Sequence, residues 1–329
     1  MLSIDHERLL VKVARYYYEQ ELTQSEISKR LRLSRQKIQR LLTQAKNQGI
    51  VQITIRPVIG AFPDLEKMLE DSFNLNEAVV IETTNFRDQF IVAREVGAGA
   101  ADYLMRVVQP GDSIVISWGG SISGMVNALH GSYRRSDLDG VKVIQGLGGL
   151  GDPNKEVHAA DLTRRLAQVL GGEAVLLPSP AVAGSREARN TYFEDPFIFD
   201  VLQQARSVNL AVMGIGAPRL DSILMREGKI VTEHDLEVLK RKGAVGDMNL
   251  RFFDKNGKIV QSNFDQRVIG LTLDEIQKIE RVVGVAGGEA KVSAIRGALA
   301  GGLVDVLITD QITAQQVLSV IESNQAPSI

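Results

Sequence analysis

Near the start of the chain Leu9, Leu10, Val13, Ala14 and Tyr17 recur at helical spacing, which predicts a first helix with one apolar stripe. A second, shorter helix opens at "LTQSEIS". There Thr23, followed three residues later by Glu26, spells a capping box and makes Thr23 the N-cap. Ile27 and Leu31 face inward from this helix, "RLRLS" turns the chain within a few residues, and Ser34 caps a third helix. Ile38, Leu41, Leu42 and Ala45 form its buried stripe. Gly49 stops it, and Val51, Ile53 and Ile55 then alternate as a strand, the order of a winged helix-turn-helix.

Past "RPVIGAFPD" the pattern changes. "AVVIE", "SIVISW", "VKVIQ", "AVLLP", "VNLAVMGIG", "RVVGVAG" and "VDVLIT" are short β-branched runs, most of them separated by amphipathic segments of helix length. That alternation predicts an α/β, doubly wound Rossmann-like domain with a largely parallel sheet covered on both faces. "RFFDKNGKIV" predicts a small hairpin turning at Asn256-Gly257. The domains are expected at residues 1–56 and 65–329, with 57–64 as linker.

The net charge of −2 hides an asymmetry. Residues 1–56 hold eleven Lys and Arg against five Asp and Glu, leaving 27 basic against 35 acidic for the rest of the chain. A basic head on an acidic body is expected where only the head meets phosphates. The chain has no cysteine, which excludes disulfides, thiol catalysis and thiolate-bound metal. "MLSIDHERLL" carries charges where a signal peptide has an apolar run, and no window approaches a membrane span. A soluble cytoplasmic protein is the expectation.

On the third helix the apolar stripe leaves Arg35, Gln36, Lys37, Gln39 and Arg40 on or near the opposite face. Arg and Gln at the first turns of a helix can reach base edges in a major groove, Arg to guanine and Gln to adenine, while neighbouring charges hold phosphates. The candidate contacts to double-stranded DNA are therefore Thr23, Gln24, Ser34, Arg35, Gln36, Lys37, Gln39 and Arg40. Tyr16, Tyr17 and Tyr18 could stack on bases, but Tyr17 belongs to the apolar stripe, and packing on the core or the effector domain is the expected use of at least one of the others.

In the body, "VKVIQGLGGLG" contains G-x-G-x-x-G after a strand, the spacing of a dinucleotide fingerprint. The fingerprint needs a helix opening inside the motif, whereas "DPNKE" intervenes and the next helical pattern starts near Asn154 or Lys155. The better reading is a glycine-rich loop at a strand end, where backbone approaches a ligand or another loop. Ligands of such folds lie beyond the carboxyl ends of strands. "SWGGS" offers amides, a hydroxyl and a helix start, "GIGAP" ends a further strand, "GAVGD" carries Asp247 and "AGGEAK" carries Lys291. Each alone reads as an ordinary turn or a solvated charge; their convergence on one sheet edge points to a polyol- or phosphate-binding pocket.

The head, together with "GDSIVISWGGS", "GLGGLG", "MGIGAP", "KGAVGDMNLRFFDKNG" and "VVGVAGGEAKVSAIRGAL", resembles the SorC/DeoR family of bacterial sugar-responsive transcriptional regulators over nearly the whole chain. The resemblance implies an effector domain similar in fold to ribose-5-phosphate isomerases and glucosamine-6-phosphate deaminases, which binds a sugar or sugar phosphate without turning it over. It implies a homodimer or homotetramer that requires no cofactor or metal. Motif by motif it implies phosphate contacts from Gly119, Gly120, Ser121 and Lys291, a hydroxyl contact from Asp247, and a sugar surrounded by Gln145, Gly146, His158 and Arg186. An enzyme of the isomerase/deaminase superfamily with a fused head is the alternative. Those enzymes resemble one another in a "GIGxDGH"-like loop, where this chain has "GIGAPRL" and lacks the carboxylate and histidine.

Overall fold

The computed structural model describes residues 4–53, 60–129, 137–149, 158–220 and 231–325. The chain divides into two compact units, Met1–Val58 and Ile59–Ile329.

The first unit contains α1 (Ile4–Tyr18), α2 (Gln24–Leu31) and α3 (Arg35–Asn47). Local hydrogen bonding sets the helix starts. The Thr23 hydroxyl accepts the Glu26 N–H at 3.3 Å while the Glu26 carboxylate accepts the Thr23 N–H at 2.7 Å. Ser34 accepts the Lys37 N–H at 3.2 Å. Between the two helices Arg32 adopts φ 51°, and its N–H closes on the Ser28 carbonyl. Leu10, Val13, Ala14, Ile27, Ile38, Leu41, Leu42 and Ala45 form the core. Each large aliphatic side chain buried there contributes about 1.5–3 kcal/mol, so Ile38→Ala alone should cost about 2–5 kcal/mol.

The tyrosines follow expectation in part. Tyr17 is 36% exposed. Tyr16 is the one packed on the core, under the Arg30 guanidinium at 4.6 Å. The chain leaving α1 folds back over Tyr16, whose carbonyl accepts the Leu22 N–H at 3.0 Å. Residues 51–53 form no strand, and the rest of the expected wing lies outside the described residues.

The strands of the second unit are β1 (Glu77–Ile81), β2 (Ser113–Ile116), β3 (Lys142–Gln145), β4 (Glu173–Val175), β5 (Leu210–Gly216), β6 (Gly246–Met248), β7 (Arg251–Phe253), β8 (Arg281–Val285) and β9 (Val306–Asp310). Seven of them form a sheet in the order β1-β9-β8-β5-β2-β3-β4, all parallel, and β6 and β7 form a short antiparallel pair at the end of β5. Successive strand residues enter opposite cores. Ile114 and Ile116 join Val212, Val283 and Ile308 on one face, while Val115 joins Ala211, Met213 and Leu307 on the other. Helices cover both faces, which is why the strands read as continuous apolar runs. The first core takes α5 (Gln89–Val107), α6 (Gly120–Ala128), α7 (Ala159–Leu170) and α10 (Glu233–Arg241). The second takes α4 (Pro63–Phe73), α9 (Pro196–Arg206), the short α11 (Leu273–Ile276), α12 (Val292–Ala300) and α13 (Gln311–Gln325). The remaining helix, α8 (Arg186–Glu194), packs at the 265–267 turn.

From β2 the chain proceeds to β3 and β4 on one side, and from β5 to β8 and β9 on the other. The strand order therefore reverses between β2 and β5, the place where open parallel sheets hold ligands.

His158 has extended backbone and caps α7, which starts at Ala159; Asn154 and Lys155, where the sequence suggested a helix start, lie outside the described residues. A further hairpin turn, which the sequence did not suggest, joins β6 to β7 at Asn249-Leu250, with φ 56° and 61°. Beyond β7 the chain turns at Asn256-Gly257 as expected: Phe253 bridges Ile259 in antiparallel fashion, the Asp254 N–H donates to the Lys258 carbonyl at 2.9 Å and the Val260 N–H to the Phe252 carbonyl at 2.8 Å.

Candidate functional site

In the first unit the five polar residues of the third helix, Arg35, Gln36, Lys37, Gln39 and Arg40, are all exposed. Their side chains make no hydrogen bond or ion pair among the described residues, which leaves them available to an outside partner. Thr23 and Ser34 are occupied as helix caps, and Gln24 is half-buried in the first turn of α2.

In the second unit three neighbouring strands, β2, β5 and β8, carry the candidate effector residues at their carboxyl ends. After β2, Gly119 caps α6 and Gly120 and Ser121 form its first turn. The loop is pinned to β5 where the Ser117 hydroxyl accepts the Gly214 N–H at 2.8 Å. Ser121 is 2% exposed, and its hydroxyl has no hydrogen-bond partner among the described residues.

Asp247 lies on β6, opposite Gly216 at the end of β5. A β-carbon on Gly216 would stand 2.1 Å from the Asp247 Oδ1, so only glycine lets the carboxylate rest against the strand. Asp247 is 6% exposed, and its Oδ1 is buried without a partner among the described residues. Burial pushes this carboxyl up to about 6, against the opposing pull of Lys291 and the Leu250 N–H. Lys291 follows the glycine pair after β8, half-buried, with no hydrogen bond or ion pair from its side chain among the described residues. Burial pushes its ammonium down to about 8, partly offset by Asp247. A buried carboxylate oxygen, a buried hydroxyl and a lysine, all unsatisfied, are a donor and acceptor set without its complement.

Residues that sequence reasoning passed over support these groups. Asp310 ends β9 with no exposed surface, and its Oδ2 accepts the Gly288 N–H at 2.9 Å and the Thr313 hydroxyl at 2.6 Å. This fixes the turn that carries Lys291. The signal was present as the cap pattern Asp310 to Thr313, whose N–H reaches Oδ1 at 2.8 Å. Asn249 donates to the carbonyls of Gly146 and Leu271 at 2.9 and 3.2 Å and keeps a buried, unpartnered Oδ1.

The glycine-rich stretch after β3 is a close backbone junction. A β-carbon on Gly148 would stand 2.3 Å from the Pro180 carbonyl oxygen. Gln145 is 1% exposed and spends both ends of its amide on the loop, donating to Leu147 O at 2.6 Å and accepting the Leu177 N–H at 3.3 Å. His158 accepts the Ala160 N–H through Nδ1 at 3.3 Å and lies against Gly149. Arg186 lies elsewhere, on a cavity whose lining includes neither Asp247 nor Lys291. The remainder of the stretch, 150–157, is outside the described residues.

Among the described residues no group of His, Cys, Asp and Glu is placed to hold a metal ion, and no helix is long and apolar enough to cross a membrane. The two units define a class of protein: a capped three-helix head with a free polar helix face, joined to a parallel α/β domain with unsatisfied polar groups at its strand switch.

Comparison with known proteins agrees with that class. Residues 58–319 match the family model "Putative sugar-binding domain". The chain is 30% identical over 315 residues to the deoxyribonucleoside regulator of Bacillus subtilis (96% of this chain, 98% of the relative). It is 33% identical over 314 residues to the transcriptional regulator LsrR of Escherichia coli K12 (95% of each). The crystal structure of the full-length sorbitol operon regulator SorC from Klebsiella pneumoniae matches with a TM-score of 0.72 at 30% identity, covering 95% of this chain and 99% of that one. The chain belongs to the SorC/DeoR family of transcriptional regulators.

Proposed function

We propose that this chain is a cytoplasmic, DNA-binding regulator of carbohydrate metabolism, whose affinity for its operator changes when a sugar or sugar phosphate occupies the ends of β2, β5 and β8. The observation that carries this reading is the unsatisfied set at those ends: Asp247 Oδ1 and the Ser121 hydroxyl are both buried without partners, and Asp247 lies in the field of an unpaired Lys291. A carboxylate accepts hydrogen bonds from sugar hydroxyls, and the amides of Gly120 and Ser121 with Lys291 suit an anionic group. Asn249 and Gly146 complete the wall, while Gln145 and His158 contribute by holding their loops. The site binds without turnover, because the "GIGAPRL" stretch after β5 offers neither the carboxylate nor the histidine of the related enzymes.

On the DNA side, Arg35, Gln36, Lys37, Gln39 and Arg40 supply base and phosphate contacts from α3, with Thr23, Gln24 and Ser34 at the helix starts beside them. One helix-turn-helix makes few base contacts, so two heads on a pseudo-palindromic site are needed and the working form is a homodimer or homotetramer.

A thermal-shift screen of free and phosphorylated pentoses and hexoses tests the effector role. At 100 times its dissociation constant a true effector stabilises the fold by about 2.7 kcal/mol. A screen in which no compound shifts the melt, or a hit that leaves operator affinity unchanged at saturation, defeats the reading. Sedimentation of a monomer binding its operator one to one defeats the assembly.

A further inference from the structure

Arg186, Arg189, Arg251, Asp265, Gln266 and Thr272 line a cavity of about 190 Å³. Its charges do not cancel. Arg251, 2% exposed, has five guanidinium N–H groups and five acceptors: the carbonyls of Leu271, Asp265, Val268 and Gly270, and Asp265 Oδ1. Arg251 is therefore saturated, and it consumes the one carboxylate on the lining. The nearest others are committed as well. Glu275 pairs with Arg206 at 2.7 Å and accepts the Thr272 N–H at 2.8 Å, and Glu187 folds onto its own N–H and the Ser185 hydroxyl.

Two cations make no ion pair among the described residues. Arg189 spends only its Nε–H, on the Val268 carbonyl at 3.2 Å, and rests one face on the Phe193 ring at 4.2 Å. Its two terminal nitrogens make no hydrogen bond to any described residue. Burial and then repulsion from Arg251 push its guanidinium below the ordinary arginine value, against a smaller attraction from Asp265 and Glu275. Arg186, one helical turn away, is exposed; it helps to lower the neighbouring Glu187 carboxyl but makes no hydrogen bond or ion pair among the described residues. Placing partly buried, like-charged guanidinium groups around one cavity costs free energy, and an anion between them removes that cost.

We propose that Arg186 and Arg189 form a second anion site, separate from Asp247 and Lys291, which takes a phosphoryl dianion, either free phosphate or the terminal phosphate of a small metabolite. Two forked guanidinium groups with open N–H donors are the chemistry that recognises phosphoryl oxygens bidentately. Gln266, exposed at the rim, adds an uncharged donor. The site adjoins the glycine-rich loop through the 268–270 segment. On one edge of that segment Val268 and Gly270 give their carbonyls to Arg251; on the other the Ile269 carbonyl accepts the Gly148 N–H at 3.0 Å.

The test uses the full chain carrying Lys291→Ala, so that the strand-end site does not compete, and titrates sodium phosphate calorimetrically at constant ionic strength set with chloride. Saturable binding is expected. Adding Arg186→Ala should weaken it at least about tenfold, the loss of one charge-assisted contact. Arg186 is exposed, so that loss would not come from misfolding; Arg189→Gln, checked by its melting temperature, should give a similar loss. Glycerol phosphate distinguishes the sources: tighter binding than inorganic phosphate assigns the site to a phosphorylated metabolite, weaker binding to the free ion. Absence of saturable binding by either probe in the Lys291→Ala chain overturns the proposal, as does unchanged affinity in the Arg186→Ala variant.

Discussion

Asp247 and Lys291 shift each other's titration without forming an ion pair. Each is held partly out of water by its own strand end, and neither neutralises the other at contact distance. The arrangement costs stability in the empty protein and reserves both groups for a third party.

Asp247→Asn should therefore stabilise the empty protein while weakening the effector. The folded-state value of about 6 is raised above the ordinary 3.8. A raised carboxyl contributes stability that is fully present below the unfolded value and lost as pH rises through the folded one. The loss approaches about 3 kcal/mol at neutral pH, because each tenfold change in proton affinity between the folded and unfolded chain is worth about 1.36 kcal/mol. Melts of the two proteins without ligand should converge near pH 4, separate as the pH rises to 6 and stay apart above it, with the asparagine variant more stable. Curves that keep a constant separation from pH 4 to pH 6 would place the unpaired charge elsewhere.

Effector affinity should follow a bell in pH. Asp247 must lose its proton to accept from hydroxyls at both oxygens, so affinity rises through about 6. Lys291 must keep its proton to hold an anion, so affinity of a phosphorylated ligand falls through about 8. A free sugar should show the first limb and little of the second. Calorimetric titrations from pH 5 to pH 9 read both limbs, and a flat profile for the phosphorylated ligand would contradict both assignments.

How much of this was legible in the sequence depends on the range of the interactions. Thr23 with Glu26 and Ser34 with Lys37 are caps three residues long, so the head could be read from local chemistry. The strands could be read because burial on both faces makes them continuously apolar. The turn at Asn256-Gly257 could be read from its own two residues, whereas the one at Asn249-Leu250 could not: Leu250 is an uncommon residue at φ 61°, and its side chain is fully buried. Gln145 is implied as a ligand contact by the resemblance alone, and its hydrogen bond from Leu177, 32 residues away, is invisible to any local pattern. Arg251 collects partners 14 to 20 residues along the chain, and nothing local marks it.

Gly216→Ala offers a test of Asp247 that leaves the carboxylate in the chain. The added methyl would meet Asp247 Oδ1 at 2.1 Å, and the side-chain end moves more readily than the strand. Effector affinity should fall toward that of Asp247→Ala, while operator binding without effector stays near wild type. Gly148→Ala is the structural counterpart: its methyl meets backbone at Pro180, so a general loss of about 1–3 kcal/mol is expected instead.

On the third helix, Arg35→Ala, Gln36→Ala and Arg40→Ala should separate by mechanism. Loss of a base-reading side chain costs about 1–3 kcal/mol and relaxes sequence preference, whereas loss of a phosphate contact weakens all sequences alike and lowers the salt slope by about one. The three side chains are exposed and unbonded, so the melting temperature should not move. A triple variant that footprints its operator like wild type would remove α3 from the interface.

Lys291→Ala joins the site to regulation. The ammonium has no partner among the described residues, and the turn that presents it is held by Asp310 rather than by Lys291 itself, so its loss should leave the fold intact. A phosphorylated effector should lose much more affinity than its unphosphorylated analogue, because only the former has a charge for the lysine to meet; Asp247→Ala should weaken both. The effector changes operator affinity only by as much as it binds the DNA-bound and free forms differently, and a coupling of roughly 1–3 kcal/mol is ordinary. Titrating effector against wild type and both variants, with and without operator, measures that coupling from either direction, and the two directions must agree. Equal losses for phosphorylated and free sugar in Lys291→Ala would take the phosphate away from Lys291, and operator affinity indifferent to saturating effector would take regulation away from the site.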